Sequence, residues 1–558
     1  MKLQHNRLAL SVAMAIFGVS SVSAQTTSEP AQVTGLGPWT TTPVFTIGET
    51  IKGYTPPGIP DGMGAFEQDD DVVIVSNHEL RSAQGYPYTL ANGAELTGAR
   101  VSYLRFDQDS RELMDAGLAY DVIYNRAGKS VTGPADLDFG GLNRLCSAGS
   151  FVKGQAGFVD DIFLTGEESG GGTEFALDVA RGELWAVPWM GRAAWESVAA
   201  LEVPGINKTH VAIVIGDDRG DAPLLLYVGE KKRNGNFLER NGLSQGKLYM
   251  WVADGGELSP ADWNGTGTSR SGRFVEVENY NADQAGSADN QSELGFDELG
   301  FATQAEIDAQ KVAIGAFNFS RPEDVHTNPR KGKGNQVVLA STGRVTTINQ
   351  GADYWGTTYV IDVKINRGRI RNDNITADIS ILYDGDDAGN NQFPHPDFGI
   401  RSPDNLVWAD DGSIYIQEDR STSVRVPKDP AGCDAAADPV ECRELAFGGA
   451  SGEEASLWKL DPGNGMATRV GQVDRTAVPS GQTDGDPLDL GDWETSGIID
   501  VTDEFDADDE QLFFINAQAH SLGGGIIDSA NLVQGGQYLF LSAPEMDDDD
   551  DDNEEDDD

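Results

Sequence analysis

Short runs of β-branched and aromatic residues recur along this chain, and most run into turns that carry acidic or amide side chains. The clearest runs are residues 72–75, 162–164, 211–215, 414–416 and 512–515. Runs of this length, bounded by Gly, Asp and Asn, are typical of strands joined by hairpins. The chain has 558 residues and is 39% hydrophobic, which is enough to bury a large core. The sequence therefore predicts an all-β protein.

The runs continue for hundreds of residues without a fixed period, because the insertions between them differ greatly in length. Radial repetition accommodates many short strands and brings the inner strand ends together around one axis. We therefore predict a single β-propeller domain over residues 46–545, and an array of β-sandwiches is the alternative. Residues 25–45 are rich in Thr, Ser, Gly and Pro and are interpreted as a lead-in segment.

The first residues have the pattern of an export signal. Lys2 and Arg7 precede an apolar stretch over residues 8–19, and Val22-Ser23-Ala24 has the form of a small-residue cleavage site. We predict a Sec-type signal peptide over residues 1–24 and a periplasmic or extracellular protein. The apolar stretch is shorter than a membrane span needs, so no membrane role is expected.

The charge of the chain points to cations as partners. The formal net charge is −51 at pH 7, and eleven of the last twelve residues are acidic. The negative electrostatic field of such a chain disfavours the binding of nucleic acid. Residues 546–558 are interpreted as a disordered acidic tail.

Three cysteines are present, and their spacing separates them. Cys433 and Cys442 lie nine residues apart, which predicts a local disulfide in an oxidising compartment. Cys146 is then left over. It is either a small buried hydrophobe or a functional thiolate.

In a propeller the acidic side chains at the strand ends are expected to come close together, because residues that are distant in sequence converge at the mouth of the central channel. Converging carboxylates repel one another unless cations lie between them. Calcium takes six to eight oxygen ligands from carboxylates, amides, backbone carbonyls and water. The chain has no H-E-x-x-H, G-x-S-x-G or Walker-type motif, which argues against zinc hydrolases, α/β-hydrolases and P-loop enzymes. A calcium site is therefore expected.

The strongest local phrase spans residues 318–326. Proline favours an extended backbone at the residue before it, so we expect Arg321 and Glu323 to point to the same side of a strand-like segment. The planar fork of arginine suits a phosphate, and the glutamate suits a cation beside it. The alternative is an ordinary surface ion pair.

Several such phrases occur in a fixed order along the chain. They are Asp61-Gly62-Met63, Asn77-His78-Glu79, Cys146-Ser147-Ala148-Gly149, Thr165-Gly166-Glu167-Glu168, Gly191-Arg192 leading to Glu196, Gly216-Asp217-Asp218, Arg321-Pro322-Glu323, Ser402-Pro403-Asp404-Asn405-Leu406 and Ile416-Gln417-Glu418-Asp419. In this order, from about residue 45 to residue 540, the sequence resembles the PhoX-type alkaline phosphatases of bacteria. The resemblance departs at Gly166, where the family has cysteine, and before Glu196, where the family has histidine.

The resemblance implies a six-bladed propeller with a metal cluster of Ca²⁺, and Fe³⁺ as a second candidate, at its central channel. It implies hydrolysis of small phosphate monoesters by a protein that we expect to be monomeric. The catalytic residues implied are Arg321, Asn77 and Glu323. The metal ligands implied are Glu79, Cys146, Glu168, Glu196, Glu323 and Asp404. Among these, Cys146 would ligate iron, and Arg321 would hold the phosphate.

Two other functions stay open at this point. The phrase Ser402–Leu406, followed by residues 411–415, also resembles turns of lactonase-like propellers, which use one divalent ion. A calcium-stabilised propeller without catalytic activity is the other alternative.

Overall fold

The computed structural model describes residues 27–343, 348–365, 375–394, 396–419, 454–487, 491–507 and 509–544. Strands dominate these residues, and helices are few. The strands are β1 (Val33–Gly35), β2 (Thr40–Thr46), β3 (Pro60–Gln68), β4 (Asp71–His78), β5 (Tyr88–Thr89), β6 (Glu95–Leu96), β7 (Arg100–Asp107), β8 (Leu113–Leu118), β9 (Val122–Tyr124), β10 (Leu145–Phe151), β11 (Ile162–Gly172), β12 (Glu174–Asp178), β13 (Glu183–Ala186), β14 (Ala193–Ala200), β15 (His210–Asp217), β16 (Gly220–Pro223), β17 (Leu225–Glu230), β18 (Gly246–Ala253), β19 (Ser269–Val277), β20 (Asn318–Ser320), β21 (Pro322–Thr327), β22 (Gln336–Ser341), β23 (Thr357–Ile365), β24 (Ile375–Asp384), β25 (Pro403–Trp408), β26 (Ile414–Glu418), β27 (Ser456–Leu460), β28 (Ala467–Val473), β29 (Thr483–Asp484), β30 (Glu494–Asp500), β31 (Glu510–Ala519), β32 (Leu522–Gly523) and β33 (Gly535–Pro544). The α-helices are α1 (Phe237–Arg240), α2 (Gln304–Ile314), α3 (Ala388–Asn391) and α4 (Gly525–Ser529). The all-β prediction is confirmed.

Most strands belong to six antiparallel groups of four. The groups are β3-β4-β7-β8, β10-β11-β12-β13, β14-β15-β17-β18, β21-β22-β23-β24, β25-β26-β27-β28 and β30-β31-β33-β2. Further pairs join some of these groups: β11 pairs with β14, and β19 pairs with both β18 and β24.

The first strand of each group lies beside the first strand of the next. β3 contacts β10, and the contacts continue through β14, β21, β25 and β30 back to β3. The six first strands, called the inner strands below, therefore form a closed circle in chain order.

The hydrophobic core lies between neighbouring groups. In one such layer Phe106 of β7 packs edge-on against Phe514 and Phe540, with ring centroids 5.5 and 5.8 Å apart. Strands covered on both faces become almost continuously buried, and β4 is buried from its second residue to its last. This explains why the runs in the sequence are uniformly apolar and do not alternate strictly.

The N-terminal segment closes the circle. β2 pairs with the C-terminal strand β33 from Thr40↔Ser542 to Thr46↔Gln537, and β1 pairs with β28. The segment 25–45, which the sequence suggested was a lead-in, therefore contributes two strands, and the boundary at residue 46 falls inside β2. The reason is tertiary: both strands bond to partners hundreds of residues away.

Three predictions concern residues outside those described: the signal peptide at 1–24, the Cys433–Cys442 disulfide and the acidic tail at 546–558. No helix among the described residues is long and apolar enough to cross a membrane.

Candidate metal centre

Each inner strand contributes to the cluster one acidic or thiol side chain from its first four residues. These six residues, called the inner ring below, are Asp61, Cys146, Glu196, Glu323, Asp404 and Glu494. All six are buried, with at most 8% of any residue exposed. Because the inner strands stand side by side, their starts bring six residues from distant parts of the sequence to one end of the circle.

Three of the inner strands begin with proline, followed at once by the acid. Pro60, Pro322 and Pro403 open β3, β21 and β25, each of which is the terminal strand of its sheet. Proline donates no backbone hydrogen bond, so it is tolerated at the first residue of such a strand. The repeated proline–acid pair is therefore the local form that places a carboxylate at the start of an inner strand.

The residue before each proline adopts a positive φ angle: Ile59 at 52°, Arg321 at 65° and Ser402 at 46°. The expectation of an extended backbone at Arg321 is therefore wrong. This region is unfavourable for side chains other than glycine, and most of all for a β-branched one such as isoleucine. Such strain persists only where the surrounding structure holds it, and it tends to cluster at functional sites.

A second tier of acids lies beside the inner ring, on the second strands of the groups. Glu79 and Asp419 follow the last residues of β4 and β26, Asp218 follows β15, and Glu168 lies within β11. Antiparallel pairing explains their position, because the end of a second strand lies beside the start of the first. The register pairs Pro60 with His78 and Pro403 with Glu418, the residues just before Glu79 and Asp419.

The two tiers form one continuous cluster. Four overlapping groups have ligand atoms within 4.8 Å of one another: Asp61–Glu79–Cys146, Cys146–Glu168–Glu196, Glu196–Glu323–Asp404 and Asp404–Asp419–Glu494. Each group shares a residue with the next, so the cluster runs around the whole inner ring.

Arg321 and Arg144 are the arginines that form ion pairs within this cluster in the described part of the chain. Arg321 donates to both oxygens of Asp218 at 2.6 and 3.0 Å and lies 2.5 Å from Glu323 Oε1. Arg144 lies 2.7 Å from Glu79 Oε1 and also pairs with Glu168. Nine carboxylates thus face two guanidinium groups.

Burial raises the pKa of every residue of the inner ring, and neighbouring carboxylates raise it further. The pKa of Glu494 rises to about 7. Asp218 is the exception: burial opposes its ionisation, but the guanidinium of Arg321, together with hydrogen bonds to Glu323 and Glu168, lowers the pKa of Asp218 to about 2. The ring is therefore built for a positive charge that two arginines alone do not supply.

Several buried oxygens point to what supplies that charge. Glu196 Oε2, Asp404 Oδ1 and the amide Oδ1 of Asn77 have no hydrogen-bond partner among the described residues. A buried polar atom without a partner carries a substantial free-energy cost. Hard cations take carboxylate and amide oxygens as ligands, so the donor set fits calcium.

Cys146 makes the donor set mixed. Its Sγ lies 3.2 Å from Asp61 Oδ2, and it shares a group with Glu168 and Glu196. Burial, followed by the charge of Asp61, raises the pKa of this thiol well above its usual range. A thiolate here requires a bound cation, and a thiolate ligand suits iron better than calcium.

The structure brings together every residue predicted from the sequence as a metal ligand: Glu79, Cys146, Glu168, Glu196, Glu323 and Asp404. Asn77 lies beside them, where its Nδ2 donates to the backbone oxygens of Cys146 and Ser147 at 2.6 and 3.2 Å. Its predicted contact with phosphate stays a prediction.

Sequence reasoning missed five members of the cluster: Asp61, Arg144, Asp218, Asp419 and Glu494. Three of them lay inside phrases that had already been singled out. The recurrence of proline followed by an acid would have identified Asp61. No local pattern distinguishes Glu494, which follows Trp493 in a turn rich in Asp and Gly.

Comparisons with known proteins point to one family. The model of the alkaline phosphatase PhoX family matches residues 179–437. The solved structure of Pseudomonas fluorescens PhoX in complex with vanadate, a transition state analogue, is similar over 93% of this chain and 97% of its own, at 16% identity and a TM-score of 0.58. The resemblance to the PhoX family is confirmed.

The structural likeness to PhoX shows that the chain has the PhoX fold. A putative 6-phosphogluconolactonase from Bacteroides uniformis also aligns, over 78% of this chain and 94% of its own at 11% identity, but its TM-score of 0.29 carries no weight. No curated protein matches the sequence.

The departure from the PhoX pattern at Gly166 has a steric reason. A Cβ atom at this position would lie 2.3 Å from Glu174 Oε2 and 2.3 Å from Trp195 Cβ. Both neighbours are buried. Their side chains occupy the space that a cysteine at position 166 would need, so this chain has glycine there.

A separate group of acids lies outside the cluster, on and after β24. Burial, with a contribution from Asp384, raises the pKa of Asp386 to about 7, and the carboxylate accepts from the backbone nitrogens of Tyr354 and Trp355. Because the folded-state pKa lies above the ordinary value of 3.8, ionisation destabilises the fold as pH rises from about 4 to 7.

Replacing this residue, Asp386→Asn, keeps an acceptor for both nitrogens and removes the charge. We expect the variant to match the parent in stability at pH 4 and to exceed it at pH 8, measured by denaturant unfolding. The exposed Asp70→Asn serves as a control that should change little at either pH. A stability difference that is the same at both pH values would contradict the prediction.

Proposed function

We propose that this protein is an exported, cation-dependent phosphomonoesterase of the PhoX type, acting on small phosphate monoesters. The observation that carries the proposal is the inner ring, in which one acidic or thiol side chain from each of six inner strands converges at one end of the circle, with Arg321 paired to Glu323 of the ring. The PhoX family match supports it, and so does the solved PhoX structure, whose ligand vanadate is a transition state analogue.

We propose further that the six antiparallel groups are the blades of a six-bladed propeller. Three features support this: the closed circle of inner strands, the closure of the last group by the N-terminal strand β2, and the core layers between neighbouring groups.

The cluster would hold its cations through Glu79, Cys146, Glu168, Glu196, Glu323 and Asp404, with Asp61, Asp419 and Glu494 added from the structure. Ca²⁺ fits the carboxylate and amide oxygens, and Fe³⁺ fits the part of the cluster that contains the thiol of Cys146. Bound cations stabilise the charge that the phosphoryl group carries in the transition state.

Arg321 would bind the phosphate. Its side chain is 16% exposed, and its Nε and Nη2 each donate to one oxygen of Asp218. Asp218 thereby orients the guanidinium, and the Nη1 edge, which lies 3.3 Å from Asp419 Oδ2, faces the cluster. Phosphoryl transfer depends mainly on positioning and charge stabilisation, which an oriented arginine supplies. Glu323 would contribute as the inner-ring residue that contacts Arg321, and Asn77 by its Oδ1, which has no hydrogen-bond partner among the described residues.

The proposal is tested by assaying p-nitrophenyl phosphate at alkaline pH with the purified protein. We expect turnover that requires added Ca²⁺ and that EGTA abolishes, and elemental analysis should report calcium in each chain. Full turnover in EGTA would contradict the calcium requirement. A large calcium shift in melting temperature without turnover on any phosphate ester would favour the non-catalytic alternative.

A further inference from the structure

A cavity runs along the circle of inner strands on the side away from Arg144 and Arg321. Its volume accessible to water is about 170 Å³, which is room for several water molecules. One end is lined by Gly62, Ser147, Asp324 and Asn405, each the residue immediately after a member of the inner ring. The cavity therefore begins one residue beneath the cluster.

The other end of the cavity opens to solvent. Thr327 and Asn328 line it there, together with the exposed side chains of Gln155 and Glu202. From Glu323 to Asn328 is five residues of extended chain, or roughly 17 Å. The cavity thus extends from the protein surface to the residues that follow the inner ring in sequence.

The charge of the lining favours cations over anions. Its acidic side chains are Asp324, whose pKa burial raises to about 7, and Glu202, and neither lysine nor arginine is among its described lining residues. Burial lowers the pKa of His326, the one histidine in the lining, to about 4, so this imidazole is neutral at pH 7. The positive side chains Arg144 and Arg321 contact the cluster itself.

Asn405 stands between the cavity and the cluster. Its Nδ2 approaches Asp61 Oδ1 at 3.5 Å, and its Oδ1 is buried without a hydrogen-bond partner among the described residues. Calcium takes amide oxygens of this kind as ligands, so Asn405 Oδ1 is a candidate binding atom for a cation between the cavity and the inner ring.

We propose that this cavity, here called the rear channel, is the path by which cations enter and leave the inner ring, separate from the path of the phosphate ester. The inference rests on the proposed cation site. The lining of the rear channel attracts cations and repels phosphate, so cation loading and substrate binding use different openings.

The test measures the rate of cation loading, not turnover. The whole protein, stripped with EGTA and dialysed, is mixed rapidly with Tb³⁺, a hard cation that binds oxygen ligands as calcium does. Trp195 and Trp493, each next to an inner-ring residue, are buried and suited to sensitise its luminescence.

Glu202→Lys reverses the charge at the opening, and Glu202→Gln removes it. We expect Glu202→Lys to slow loading about tenfold at low ionic strength, with a smaller effect for Glu202→Gln, and both effects should shrink as salt is added. The exposed Glu95→Lys, which lies in the β5–β6 hairpin outside the channel, makes the same change in net charge and should load at the parental rate. Thr327→Trp narrows the channel and should slow loading at any salt concentration.

The final luminescence amplitude should be the same in Glu202→Lys and the parent, because the ligands are untouched. Loading of Glu202→Lys at the parental rate, or slowing of Glu95→Lys to the same degree, would overturn the inference, as would a parent that never binds Tb³⁺. If p-nitrophenyl phosphate is not hydrolysed but Glu202→Lys still loads slowly, the proposed function fails and the rear channel stands.

Discussion

Arg321→Ala is expected to lower kcat/KM for p-nitrophenyl phosphate by about a hundredfold to a thousandfold, the range seen when one preorganised charge-stabilising donor is removed. The guanidinium is held by Asp218 at 2.6 and 3.0 Å, so it costs little to position when phosphate arrives. Its loss removes the bidentate donor and leaves Asp218 as an uncompensated carboxylate beside the substrate. Steady-state kinetics in saturating Ca²⁺ measure the effect.

Two variants separate charge from geometry. Arg321→Lys keeps the charge and loses the planar fork, so it should recover only part of the activity. Arg240→Ala removes an arginine of similar exposure, 20% against 16%, that pairs with Asp160 away from the cluster. This control should retain activity. Equal losses in Arg321→Ala and Arg240→Ala would show that the effect is one of stability and not of phosphate binding.

Removal of cations is expected to destabilise the fold strongly, and more so at higher pH. Each cation site at a thousandfold excess over its Kd stabilises the folded state by roughly 4 kcal/mol. Without cations the buried carboxylates must either keep their protons or repel one another. The melting temperature in EGTA should therefore fall well below that in Ca²⁺ at pH 8.

The direction of the pH effect follows from the raised pKa values. Glu494 has an ordinary pKa of 4.5 and a folded-state pKa of about 7, because burial and Asp419 disfavour its charge. The unfolded chain releases its proton first, so the cation-free protein loses stability as pH rises from about 4.5 to about 7. Calcium should flatten this dependence. A melting temperature in EGTA that stays constant from pH 5 to pH 8 would contradict the prediction.

Removing the charge of one candidate ligand should stabilise the cation-free protein and weaken the stabilisation that Ca²⁺ provides. Asp404→Asn removes a buried charge, so we expect it to raise the melting temperature in EGTA and to lower the gain produced by Ca²⁺. Glu174→Gln is the matched control, since Glu174 is a buried acid whose pKa is also raised by burial but which lies outside the cluster. Its calcium-induced gain should equal that of the parent.

The site residues that could be predicted from the sequence are those marked by a short sequence pattern around them. Glu79, Glu168 and Asp419 stand in or after short apolar runs, and the phrase around Pro322 carries both Arg321 and Glu323. Glu494 and Arg144 have no such local mark, because what makes them part of the cluster is the position of their strands next to others. The expectation that the acids stand where strands end was correct only for Glu79, Asp218 and Asp419 of the second tier. The inner ring stands where strands begin.

The amino-acid sequence by itself determined the all-β class, the acidic character and the identity of most residues of the cluster, because these depend on residue type, short-range spacing and ordered phrases. The tertiary structure decided which acids meet. Six strand starts lie within contact of one another only after the sheets pack in a circle and β2 bonds to β33 across almost the full length of the chain. The physical reason is that carboxylate repulsion and burial act through space, so the inner ring exists only where the fold has closed.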